Sequence, residues 1–379
     1  MKPGISISLA IFSFLLLPAM NAQDCTREIL AQKPGQWKKS PDFSPGIPKE
    51  ILSKAKTVVT PLSKLFFEVY PQPRGCEARW YESYGSGAYD IGLAQSYEFI
   101  SYFLMYYCKG NTKDFFLGSE TDDWIYIRAN YCGALNDFLT VNGKKYWTIK
   151  RPTEVKDGML YFEYPSSASS PDINGLWLYA WMITYPGKLP YIPVTRKEYL
   201  LEARQEVAKT QTEVIENVKR YTTIRPAAEQ EAAKQKEVEY LKKSYPDNPR
   251  RWQRYIEDYQ TDEQKLQAAI NKMTQQYQAT LAIMNNLLQT LSEEELQKPA
   301  IVTVIATAFK GFEDDFKERN ANMLIRWNPE YFNKKLSKAV PQFFTVLVRE
   351  NRRDLPAVEI TRLFKQKFRF EVLSSMLGK

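Results

Sequence analysis

Hydrophobic and polar positions divide the chain into stretches of different period. Lys2 precedes an almost unbroken apolar run from Ile5 to Leu17, and Pro18, Ala19 and Ala22 then lead into polar Gln23 and Asp24. A charged start, a short apolar centre and a small residue at the cut make residues 1–22 a signal peptide, too short to span a bilayer. Cleavage is expected near Ala22. The residues before Cys25 lack the small neighbour that lipid attachment requires, so the mature chain is expected to carry no anchor and no transmembrane helix.

From Pro48 to Val69, Ile51, Ala55, Val58, Leu62, Leu65 and Phe66 recur at three- and four-residue steps, which predicts one amphipathic helix. Beyond Cys76 the chain turns aromatic and β-branched. Strands are predicted at 80–84, 97–108, 124–130, 145–150, 159–164 and 176–185, and Val141-Asn142-Gly143-Lys144 carries an Asn-Gly hairpin signal. Near the C-terminus, 323–327 and 343–349 read as strands and 357–368 as a helix.

Between these lies a different pattern. Glycine is absent from Lys188 to Lys310, and residues 196–298 contain no Phe or Cys and a single Trp. Turns with positive φ call for glycine, so this stretch is predicted to be long helices. Thr195 and Glu198 form a capping box; Leu200, Ala203, Val207, Thr210, Val214, Val218 and Tyr221 follow as one stripe, and Pro226 should break it. Two prolines in residues 245–249 make a turn. A second stripe then runs from Trp252 through Ile256, Tyr259, Leu266, Ile270, Met273, Tyr277, Leu281 and Met284 to Leu291, with a further capping box at Thr261–Gln264 marking a break near Gln260. The limbs 196–244 and 250–297 match in length, so they are expected to fold back as a coiled-coil-like hairpin of about 70 Å at ~1.5 Å per residue. The resulting picture is an α+β fold, a mostly antiparallel sheet with covering helices. Its body would be 23–195 plus 299–379, and residues 196–298 would be a helical insertion.

Composition narrows the chemistry. The chain has 379 residues and no histidine, which removes Ser-His-Asp and Cys-His nucleophile pairs, His-ligated zinc and histidine pH switches. Its formal charge is +8, and residues 300–379 hold 15 basic against 9 acidic side chains. A basic exported protein can favour anionic envelope components, whereas the scattered lysines and arginines do not suit nucleic acid. Cys25, Cys76, Cys108 and Cys132 are an even set and read as disulfides. Three connectivities are open, with Cys25–Cys76 and Cys108–Cys132 favoured.

At Leu189–Leu200, LPYIPVTRKEYL, and Asn328–Val348, NPEYFNKKLSKAVPQFFTVLV, the chain resembles a family of exported bacterial proteins without a known activity. That resemblance implies that the flanks of the hairpin form one unit, and it implies no ligand, cofactor or catalytic residue.

The motifs that remain are incomplete. Glu120, Asp122 and Asp123 stand beside Trp124, a setting open to glycoside hydrolysis, but sequence does not give the carboxylate separation. Ser53 and Lys56 fit S-x-x-K without its companions, and Gly85-Ser86-Gly87 departs from a dinucleotide loop. The aromatic group Trp80, Tyr81, Tyr84 and Tyr89 is the candidate binding surface. The expectation is therefore a periplasmic or secreted non-enzymatic binding or scaffold protein, without cofactor or metal, that meets a protein or envelope-glycan partner through the hairpin or the aromatic surface. The alternative is a carbohydrate-active hydrolase using a carboxylate pair.

Overall fold

The computed structural model describes residues 25–44, 46–85, 94–110, 112–131, 138–165, 175–303, 305–314 and 321–379. The expected signal peptide, Tyr89 and Cys132 lie outside the described residues.

Among the described residues, two sheets and three groups of helices stack in layers. The larger sheet is built from β1 (Trp37–Lys39), β2 (Cys76–Tyr84), β3 (Tyr97–Cys108), β5 (Trp124–Ala129), β14 (Phe344–Asn351), β10 (Leu176–Ile183), β9 (Met159–Pro165) and β8 (Glu154–Lys156), in that spatial order. The short β4 (Phe115–Leu117) hangs on the end of β3. Every pairing is antiparallel except β1 with β2, and β14 reaches the centre from the far end of the chain, between β5 and β10.

Strand alternation sends successive side chains to opposite faces. On one face Ala78, Phe99, Phe103, Ile125, Ile127, Trp181, Val346 and Val348 pack against helices. Those helices are α2 (Lys49–Val69), α8 (Leu355–Lys367) and α9 (Phe370–Met376). The α2 stripe Ala55, Val58, Val59, Leu62, Phe66 and Val69 is buried there, and Phe364 of α8 stacks on Phe368 with ring centroids 4.4 Å apart. A short helix, α1 (Arg27–Gln32), sits against β3 and α8.

The other face of β10 and β9 is covered by a second sheet. It comprises β11 (Tyr191–Pro193), β13 (Asn322–Trp327), β7 (Lys144–Ile149) and β6 (Phe138–Val141), with β12 (Ile301–Val302) beside β13. Leu160, Phe162, Ala180 and Met182 of the large sheet meet Trp147, Ile149 and Ile325 of the small one. The β6–β7 turn uses Asn142 at φ 51° and Gly143 at φ 73°, the positive pair that an Asn-Gly hairpin requires. The flanking segments named above are brought together here: Tyr191 pairs with Trp327, and the Asn328 amide donates to the Pro190 carbonyl at 2.9 Å.

The helical hairpin is present as two jointed limbs. The outgoing limb is α3 (Arg196–Tyr221) and α4 (Ala227–Ser244); the returning limb is α5 (Pro249–Asp258), α6 (Asp262–Thr290) and α7 (Glu293–Gln297). Thr195 caps α3 by accepting from the Glu198 amide, and Thr261 with Gln264 closes a reciprocal capping box on α6. The limbs run antiparallel: Lys197 pairs with Glu293, Arg204 donates to Asn285, and Arg225 clasps Asp262. Thr195 and Pro299 form an antiparallel bridge, so the chain leaves and re-enters at adjacent points. The hairpin is buried chiefly at its base, where Tyr199, Leu200, Ala203, Val207 and Met284 pack on Val141, Tyr146 and Leu324 of the small sheet; farther out Ile270 and Gln230 are buried. Among the described residues, no helix is long and apolar enough to cross a membrane.

Candidate binding surfaces

The aromatic group expected near residue 80 does not form one surface. Trp80 and Tyr84 occupy the helix-covered face of β2. Trp80 packs on Phe67 and Phe99 at 5.6 and 5.9 Å, and Tyr84 is fully buried with its hydroxyl donating to Glu82. Burial, followed by the Glu82 contact, pushes the Tyr84 phenol far up. Tyr81, one residue from Trp80, points the opposite way.

On that opposite face Tyr81 joins residues distant in sequence. The strand register aligns Arg79, Tyr102, Trp124 and Arg349 in one row, Tyr81, Ile100, Tyr126 and Leu347 in the next, and Ser83, Glu98, Arg128 and Thr345 in a third. Tyr102 stacks on Trp124 at 4.9 Å and Trp124 on Tyr126 at 5.7 Å, with ring planes 27° and 7° apart. The Arg128 guanidinium continues the column, 4.0 Å from the Tyr126 ring and 4.7 Å from that of Tyr131. Arg128 also pairs with Glu98 at 2.5 Å.

At the opposite end Arg79 and Lys38 converge on Glu77. Burial alone would raise the Glu77 carboxyl, but these cations and Gln36 outweigh it and hold it below its ordinary value. Burial first of all lifts the Tyr126 phenol to about 12. Because each ring covers the face of the next, the column offers ring edges rather than open faces, and the Arg128 guanidinium at its end is buried. Such rigid, amphipathic groups present contact area at little conformational cost. Trp124 and Tyr126 at alternate positions of β5 were a visible signal of this patch; the cross-strand register was not.

The carboxylates of the 119–124 segment do not converge on a cleft. Glu120 is exposed, and Asp122 is engaged by Arg349 at 2.6 Å. Asp123 is 2% exposed and accepts from the Asn351 amide at 2.6 Å, which ties the start of β5 to the end of β14. Burial raises its carboxyl to about 8; Asp354, Asp122 and Glu350 push the same way, and the Asn351 N–H opposes them. Among the described residues, no group of His, Cys, Asp and Glu is placed to hold a metal ion.

The cysteine pairing differs from the expected one. Cys25 is bonded to Cys108, with Cα atoms 5.7 Å apart, and Cys76 is a buried free thiol. Cys76 opposes Met105 in the β2–β3 register and lies in the helix-covered core, whereas Cys108 stands at the end of β3, beyond the β2 pairing and bonded to Cys25 just before α1. Burial lifts the Cys76 thiol to about 12. Spacing along the chain carries no information about which face a cysteine occupies.

The distal hairpin is the second surface. Its joints lie side by side: Arg225 binds Asp262 through two contacts of 2.8 Å, and the buried Gln230 side chain donates to the Arg225 carbonyl and accepts from the Asp262 amide, both at 2.7 Å. The Arg225 hydrogen bonds hold the Asp262 carboxyl down at about 2. Beyond the joint, α4 buries only Gln230 and α5 buries nothing. Tyr245 lies under Arg251 at 3.9 Å and Trp252 under Lys242 at 4.7 Å, while Tyr221, Tyr240 and Ile256 are exposed. No family model matches the chain, and no curated protein or solved structure is similar to it.

Proposed function

We propose that this is an exported, non-enzymatic binding protein of the cell envelope, in which residues 196–298 are a coiled-coil-like arm inserted into a body formed by 23–195 and 299–379. The arm meets a protein partner through its distal half. Export is supported by the signal-peptide pattern of residues 1–22 and by the Cys25–Cys108 disulfide.

One observation carries the reading. Residues 227–258 pack on each other and on the adjoining joint and bury a single side chain, that of Gln230, so the packing of the body does not explain why they are there. They carry Tyr, Trp and Arg, the residue types that dominate interface energetics, already ordered in cation–π pairs. The Tyr102–Trp124–Tyr126 column supports a second contact on the body.

The joint supplies the test. Arg225 and Asp262 touch, so residues 227–260 can be replaced by a short Gly-Ser linker without pulling on the base. A photo-crosslinking residue at Tyr240 should give a discrete adduct in the host envelope, and the shortened chain should lose its partner while its melting temperature falls by less than about 3 °C. Adducts from Tyr102 and none from Tyr240 would move the contact to the sheet. No adduct from either position would end the binding reading.

A further inference from the structure

The end of β3 and the short β4 form a ribbon that projects beyond the sheet, and its aromatic residues are uncovered. Tyr107, Phe115 and Phe116 are 39%, 42% and 50% exposed. The register sets Cys108 opposite Phe115 and Tyr107 opposite Phe116. Phe115 packs edge-on against Tyr106 at 5.5 Å, whereas Phe116 lies against Tyr107 at 5.8 Å. Neighbouring positions on a strand point to opposite faces, so aromatic rings line both sides of the ribbon.

Basic groups surround them. Lys109 and Lys113 line an open concavity of about 580 Å³ together with Asp114, Phe115 and Phe116. The Lys33 ammonium, just past α1, stands 4.0 Å above the Phe115 ring. The acidic neighbours are Asp114 in the turn, Asp122, Asp123 and Asp354, which act on Tyr107 together with the cation Arg27, and Glu77 near Tyr106. The Cys25–Cys108 disulfide fastens the segment before α1 to the turn end of the ribbon, and the Lys109 amide donates to the Asp114 carbonyl at 2.9 Å, tying the two strand ends together.

We infer that this ribbon docks on a lipid surface carrying anionic headgroups. A globular protein partner would cover one side, but rings on both faces of a two-stranded ribbon are satisfied together only by a medium that surrounds them, such as the interfacial zone of a bilayer. Lysines at the rim keep their charge among phosphates while their stems lie along the apolar boundary. Attraction to anionic lipid then adds to the burial of the rings.

Vesicle flotation of the full chain tests this. Vesicles with about one third phosphatidylglycerol should carry the protein more strongly than pure phosphatidylcholine, and added salt should weaken the binding. Phe115→Ser with Phe116→Ser should lower flotation roughly tenfold at an unchanged melting temperature, because both rings are exposed. Any contribution from the apolar residues 5–17 is common to the wild type and the variant. Amide exchange of 106–117 should slow on the anionic vesicles. Equal flotation of wild type and variant, equal binding to both lipid mixtures, or unchanged exchange in the ribbon would each overturn the inference.

Discussion

Asp123 shows how one buried group shapes the response of the whole chain to pH. The folded protein keeps its carboxyl proton up to about pH 8, whereas the unfolded chain releases it near the ordinary 3.8. Between these values the folded state binds the extra proton, so this residue makes stability fall as pH rises through that window. Wild type should melt a few degrees lower at pH 7.5 than at pH 5, and Asp123→Asn should remove most of that difference, because the amide oxygen still accepts from the Asn351 N–H. Retention of the full difference in the variant would disprove the assignment. The sequence displayed this acid with Glu120 and Asp122 as the candidate carboxylates of an alternative hydrolase reading; in the fold Asp123 is buried and Asp122 meets Arg349.

At the scale of elements, periodicity was informative wherever a segment is long and packs on one face. The α2 stripe, the 97–108 strand, the Asn-Gly hairpin and both breaks in the arm follow from spacing, proline and capping residues. Short pieces such as β1, β4, β8 and α1 were not legible, because three to six residues carry no period. Nor did the sequence reveal that the two breaks of the arm face each other, since Pro226 and Thr261 announce their own ends only. Gln230 joins them, and Gln230→Ala would leave the Arg225 carbonyl and the Asp262 amide without it. Loss of such buried partners costs about 1–3 kcal/mol. Amides at 227–231 and 259–264 should exchange at least about tenfold faster, with 196–210 unchanged; uniform protection along the arm would show that the joint is not held this way.

For the whole molecule, the layers share side chains, so the base of the arm and the small sheet should melt together. Leu200 is completely buried between them. Leu200→Ala removes a core side chain at a cost of about 2–5 kcal/mol, and the single unfolding transition should drop by at least about 4 °C. If the arm melted separately while the sheet signal stayed in place, that coupling would be refuted.

Local order was written in the chain itself. Periods of two and of three to four residues, prolines, caps and the missing glycines determined where strands and helices form and that a matched pair of helical limbs doubles back, since each depends on neighbours a few residues away. Missing histidine likewise removed whole classes of chemistry before any fold was known. Tertiary structure alone decided that Trp80 and Tyr81 part to opposite faces, that Tyr81 meets Tyr102, and that Cys25 bonds to Cys108 rather than Cys76. These outcomes depend on strand register and on which layer covers which face. Both are set by contacts between residues far apart in the chain, on which spacing along it is silent.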